Sequence, residues 1–232
     1  MLFRKAKSRR SQRNHFRRVF LEQLEDRRLL TTFAVDTILD TVDVNPGNGV
    51  ALDAAGNTSL RAAIMEANAL SGSDTINLPA GFYVLSITRD DGNDEPTGDL
   101  DITSNVTIIG AGADLTTIDA NQIDRVIDID GNASITGVTI TGGDRTGAYG
   151  GGIRIVDGIV LLDSVVVTDN YGRFGTGGIA SQGDLTITNS EISNNKTDFE
   201  AGAVWVWGDT GKATIRNTTI SGNEADNAGG IA

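Results

Sequence analysis

The chain has 232 residues, no cysteine and a single histidine, His15, near its start. That composition excludes a disulfide framework, thiolate or multi-histidine metal centres, and a Ser-His-Asp triad in the body of the chain. The net charge of −12 is split: residues 1–30 hold ten of the 19 Lys and Arg but three of the 31 acids, which leaves +7 there and −19 afterwards.

Residues 1–31 read as a basic leader expected to be disordered. No run of about 7–15 apolar residues follows the charges, as a Sec signal needs. Arg17-Arg18-Val19-Phe20-Leu21 matches a twin-arginine core, but Glu22, Glu25, Asp26, Arg27 and Arg28 interrupt the apolar stretch behind it. The segment Phe20-Leu21-Glu22-Gln23-Leu24-Glu25-Asp26-Arg27-Arg28-Leu29-Leu30 resembles the LEPR/LEDR-type N-terminal segment of large planctomycete surface and secreted proteins. That resemblance implies an extracellular or cell-surface destination. The acidic body repels phosphate, so no nucleic acid partner is expected, and no apolar run approaches the roughly 20 residues of a membrane helix.

Phe33-Ala34-Val35 reads as a strand leading into an Asp/Gly/Asn-rich stretch through Asn57. The period then changes. Thr58 or Ser59 can cap a helix whose apolar face is Leu60, Ala63, Ile64, Ala67 and Leu70, ending near Ser71-Gly72. Asp74 to Leu85 follows as strand, turn and strand. Ser59-Leu60-Arg61, Ala63-Ile64 and Ala67-Asn68, with the DTINLPAGFYVL segment and the later VTIIGAGADLTTIDAN, resemble the CSLREA-type domain. Thr58 and Ala62 depart from the Cys and Glu of that motif. The resemblance covers roughly residues 33–121 and implies that residues 32–121 form an N-terminal cap and the first coils of a right-handed parallel β-helix.

Residues 122–232 carry an internal repeat. Ser134–Thr141 recurs as Leu161–Thr168, Thr186–Ser193 and Thr214–Ser221, at shifts of 27, 25 and 28. Gly151-Gly152, Gly177-Gly178, Gly202-Ala203 and Gly229-Gly230 fall between the copies. Leu185 and Ile187 alternate with Thr186 and Thr188, a two-residue period, and the copies leave no room for a helix of about ten residues. The expected fold is therefore all-β, a right-handed parallel β-helix of 25–28 residues per coil behind an amphipathic capping helix, with three short strands to a coil. Asn170, Asn195 and Asn223 occupy equivalent turns and are expected to form a stacked amide ladder. The repeats resemble those of polymorphic outer-membrane and autotransporter-like proteins. The last copy stops mid-repeat at Ala232, which reads as a truncated solenoid able to associate end to end.

Three sets of residues are candidates for function. Asp128 and Asp130 lie on one face of a strand with Arg125 nearby, and Arg145, Arg154 and Arg173 fall in or near neighbouring coils. Such a group suits a polysaccharide lyase or an inverting hydrolase, but a strand surface with 28 acids also brings acids and arginines together by chance. Asp90, Asp91, Asn93, Asp94 and Asp99 crowd one loop that can wrap Ca²⁺ or simply be solvated. Trp205 and Trp207 point to one side of their strand. Val204 matches Ile153, Ile179 and Ile231, so the tryptophans are expected outside, where they can meet carbohydrate or a neighbouring loop. The expected function is a non-catalytic surface scaffold or adhesin that needs no cofactor, with a polysaccharide or surface protein as partner. The alternative is a polysaccharide-active enzyme or carbohydrate-binding module.

Overall fold

The computed structural model describes residues 30–89, 97–145, 149–209 and 211–232. Its strands pair only in parallel, in four sheets wound as a β-solenoid of about four turns with a single helix. The first sheet stacks Thr32–Ala34, Ser73–Leu78, Asn105–Gly110, Ala133–Thr136, Ile159–Asp163, Asp184–Thr188 and Lys212–Arg216. The second stacks Gly81–Val84, Thr116–Asp119, Thr139–Thr141, Val166–Thr168, Glu191–Ser193 and Thr219–Ser221. The third is formed by Leu100–Ile102, Ile127–Asp130, Ile153–Asp157, Ile179–Ser181 and Val204–Val206. From the third coil onward a fourth, two-residue strand appears in Asp144–Arg145, Tyr171–Gly172 and Lys196–Thr197. The expectation of three strands per coil therefore holds only for the early coils. The turns between the second and third sheets are long enough to add a short ladder of their own.

Alternation decides which residues form the core. Ile108, Ile135, Leu162 and Ile187 face inward in one row of the first sheet, each at 2% exposure or less, while Thr107, Ser134, Leu161 and Thr186 occupy the outward row beside them. In the third sheet Leu100, Ile127, Ile153, Ile179 and Val204 stack in the same way. Each such aliphatic side chain contributes about 1.5–3 kcal/mol of burial, and stacking identical positions lets every coil complete the core of the next. The shifts of 27, 25 and 28 recur as strand registers: Ser134 pairs Leu161, Leu161 pairs Thr186, and Thr186 pairs Thr214. In the last coil Ala213 is exposed and Ile215 and Ile220 are partly so.

The turns are stacked too. Between the first and second sheets the same corner is taken by Gly137, Ser164, Asn189 and Asn217, all at positive φ between 48° and 66°. Asparagine tolerates this left-handed conformation and serine does so less readily, so the corner is set by the coil and not by the local residue.

Helix Leu60–Ala69 begins at Ser59, whose Oγ accepts the Ala62 N–H at 3.0 Å and donates to the Thr41 carbonyl. It lies before the strand Ser73–Leu78 in the place that third-sheet strands take in later coils, and it packs against Ser73–Leu78, Leu100–Ile102 and Asn105–Gly110. It thus covers the start of the coil and shields strand edges there. Arg61 fastens it. This arginine is 3% exposed, pairs with Asp40 at 2.6 Å and donates to the Gly98 and Asp99 carbonyls. Among the described residues no helix is long and apolar enough to cross a membrane.

Candidate functional site

The outer face of the third sheet gathers most of the residues singled out above. One register row across its five strands reads Asp101, Asp128, Arg154, Ala180 and Trp205. Adjacent strands lie about 4.8 Å apart, so the row runs roughly 19 Å along the solenoid, ionic at one end and aromatic at the other.

At the ionic end, Asp99, Asp101, Asp128, Asp130, Arg89, Arg125, Arg145 and Arg154 line a cavity of about 320 Å³. Asp128, Asp130 and Arg125 are therefore brought together. Carboxylate oxygens of Asp99, Asp101 and Asp128 lie within 4.8 Å of one another. Arg125 is buried against them: its Nε donates to Asp99 at 2.5 Å, its Nη2 lies 3.5 Å from Asp128, and its Nη1 donates to the Tyr149 carbonyl at 2.9 Å. Burial alone would lower the pKa of the guanidinium. The charges of Asp128 and Asp99 overcome this and hold it up, so Arg125 stays a cation. Arg154 makes a fork onto Asp128, with Nε at 2.9 Å and Nη2 at 2.5 Å. Beneath them Arg145 reaches Asp124 at 2.7 Å, and burial followed by the nearby Asp99 charge pushes Asp124 above the usual carboxylate range. Arg173 is exposed and pairs with this group only through its backbone, its N–H donating to the Arg145 carbonyl.

This geometry suits a strut better than a catalytic centre. Oxygens of Asp99, Asp101 and Asp128 crowd within 4.8 Å, where an inverting pair would need room for a water, and Asp99 and Asp128 are already paired to guanidinium groups. A lyase needs an arginine free to take a proton. Arg125 and Arg154 are instead each held by carboxylates. A divalent cation fits poorly, because guanidinium groups already fill the places facing Asp99 and Asp128. Of the acidic loop, Asp90, Asp91, Asn93 and Asp94 lie outside the described residues, and Asp99 is the arginine-bound carboxylate just described.

At the other end, Val204 is fully buried in line with Ile153 and Ile179, Ile231 beyond it in the last coil is 50% exposed, and Trp205 and Trp207 stand half-buried on the outer side. Their rings stack on each other at 5.0 Å and 15°, so they form a stacked pair instead of a flat two-ring platform. Tyr149 meets Trp205 edge to face at 5.0 Å and Trp207 at 5.4 Å. Phe174 and Phe199, one coil apart, meet at 5.8 Å. Tyr149, Phe174 and Phe199 were not legible as site residues, since each lies in a turn without a local pattern.

The asparagine positions form a hydrogen-bonded column. Asn170 Nδ2 donates to Asn195 Oδ1 and Asn195 Nδ2 to Asn223 Oδ1, both at 3.0 Å. The same oxygens accept the backbone N–H of Asn170 and Asn195. The role is structural, inside the turn.

No family model matches the chain, and neither the curated proteins nor the solved structures contain a match.

Proposed function

We propose that this protein is a non-catalytic β-solenoid acting at the cell surface or outside the cell as a scaffold or adhesin. The observation that carries this reading is Arg125, a buried cation set between Asp99 and Asp128. It ties up the carboxylates that hydrolysis or calcium-assisted lyase chemistry would have to use. The parallel solenoid offers a long repetitive outer surface, a geometry suited to display and contact. The leader of +7, with its resemblance to planctomycete export-associated segments, supports the location.

The test is incubation with polygalacturonate, alginate and xylan, with and without Ca²⁺, followed for new chain ends. No product is expected. Turnover that Asp128→Ala abolishes would replace this reading with a polysaccharide-degrading enzyme.

A further inference from the structure

The aromatic end of the third sheet is not needed to explain a scaffold. The chain has 12 aromatic residues, and five of them converge here from three separate stretches, including both of its tryptophans. Folding has left three of them open: Tyr149 is 42% exposed, Phe174 42% and Phe199 47%. Exposed aromatic surface on this scale forgoes burial energy and marks a contact site.

Together they build a slot. Tyr149 and Trp205 line it with Phe174 and Phe199, and Gly175, Arg154 and Glu200 complete a cavity of about 520 Å³. Gly175 is a requirement of the design. Its φ is +78°, and a Cβ there would fall 2.6 Å from Tyr149 Cδ1 and 2.8 Å from Trp205 Cζ3. Only a residue without a side chain lets the two rings close over that turn. Trp207 stacks behind Trp205 and fixes its orientation.

The polar atoms narrow the ligand. Arg154, whose Nε and Nη2 are forked onto Asp128, and Glu200, which accepts from Asn227 Nδ2, bring a paired guanidinium and a carboxylate to the lining. An anion would face the Glu200 carboxylate, and a quaternary ammonium, though suited to the rings, has no donor for Glu200 and no acceptor for the remaining Arg154 N–H groups. A wholly apolar partner would strip water from both charges without replacing it. A neutral sugar ring satisfies all three demands: its C–H face stacks on an aromatic ring, and its hydroxyls accept from a guanidinium and donate to a carboxylate. Phe174 and Phe199 occupy corresponding turns one coil apart along the axis, with ring centroids 5.8 Å apart.

We infer that this slot is a saccharide-binding site that takes a neutral pyranose chain laid along the solenoid axis. It gives the adhesin reading a ligand, yet it fails or stands separately: binding can be absent while the scaffold reading holds, and turnover on uronates would not disprove the slot.

Because both tryptophans lie in this cluster, selectively excited tryptophan emission reports on it alone. The experiment titrates the full chain with cellopentaose, xylopentaose, mannopentaose and chitopentaose, with choline as the cationic control. A saturable emission change with at least one pentasaccharide is expected. The Phe174→Ala/Phe199→Ala double variant, which removes only half-exposed rings, should bind at least about tenfold more weakly with an unchanged melting temperature. Glu200→Gln provides a second variant of minimal structural effect and should also lose affinity. No saturable change with any of the four sugars up to about 10 mM would overturn the assignment. So would equal affinity in the folded double variant, or a response to choline alone.

Discussion

Asp43 and Glu66 are two carboxyl groups buried together in the N-terminal cap, 4% and 0% exposed. Glu66 accepts the N–H groups of Gly47 and Gly49. Asp43 Oδ1 accepts the Asn45 N–H at 2.9 Å, but its Oδ2 is buried without a hydrogen-bond partner. Burial first, and the Glu66 charge after it, raise the pKa of Asp43.

The sign of the resulting pH effect follows. A raised carboxyl pKa means that the folded state holds the proton more tightly than the unfolded chain. That stabilisation is complete below the ordinary carboxylate pKa of about 4 and fades as pH rises through the raised value. Asp43→Asn keeps the neutral form at every pH. It should therefore melt higher than wild type at neutral pH, with the difference shrinking toward pH 4, as melts across that range will show.

Asn195 is the middle rung of the amide column and is fully buried. Asn195→Ala removes its side-chain bonds to Asn223 and the Val167 carbonyl and takes the acceptor from the Asn170 backbone N–H, while Asn170 Nδ2 keeps the Ile140 and Thr168 carbonyls. The cost should be about 3 kcal/mol in urea unfolding. Asn223→Ala, at the more exposed end, should cost about 1 kcal/mol.

Arg125→Met removes the cation between Asp99 and Asp128 and should destabilise by about 3–5 kcal/mol. Adding Asp99→Asn should recover part of that loss, because the uncompensated charge goes with it. Equal stability of the single and double variants would contradict the pairing.

Gly175→Ala tests the aromatic slot as a packed object. The methyl group is strained at φ +78° and meets Tyr149 and Trp205, so a loss of about 1–2 kcal/mol is expected, together with weaker near-ultraviolet tryptophan dichroism.

The solenoid was legible because its signals repeat. Strand alternation, the asparagine spacing and the shifts of 27, 25 and 28 each name a coil position several times over. The outward side of Trp205 followed from Val204 matching buried Ile153 and Ile179. The ionic row was less legible. Asp101, Asp128 and Arg154 are 27 and 26 residues apart, but only the actual register puts them side by side, so no local pattern marks Asp101. Tyr149, Phe174 and Phe199 sit in turns, where no alternation says which way a side chain points. Arg61 stood out only as part of a motif. Its burial against Asp40 depends on a loop twenty-one residues upstream, beyond any local pattern.

The most direct measurement is the melting temperature in excess Ca²⁺ and in a chelator, for wild type and Asp128→Asn. If the third sheet's carboxylates are already spent on Arg125 and Arg154, Asp128→Asn melts lower than wild type and the calcium response of the two proteins is the same to within about 1 °C. A rise of several degrees in wild type that Asp128→Asn abolishes would place a bound cation between Asp128 and the arginines, and would contradict the strut.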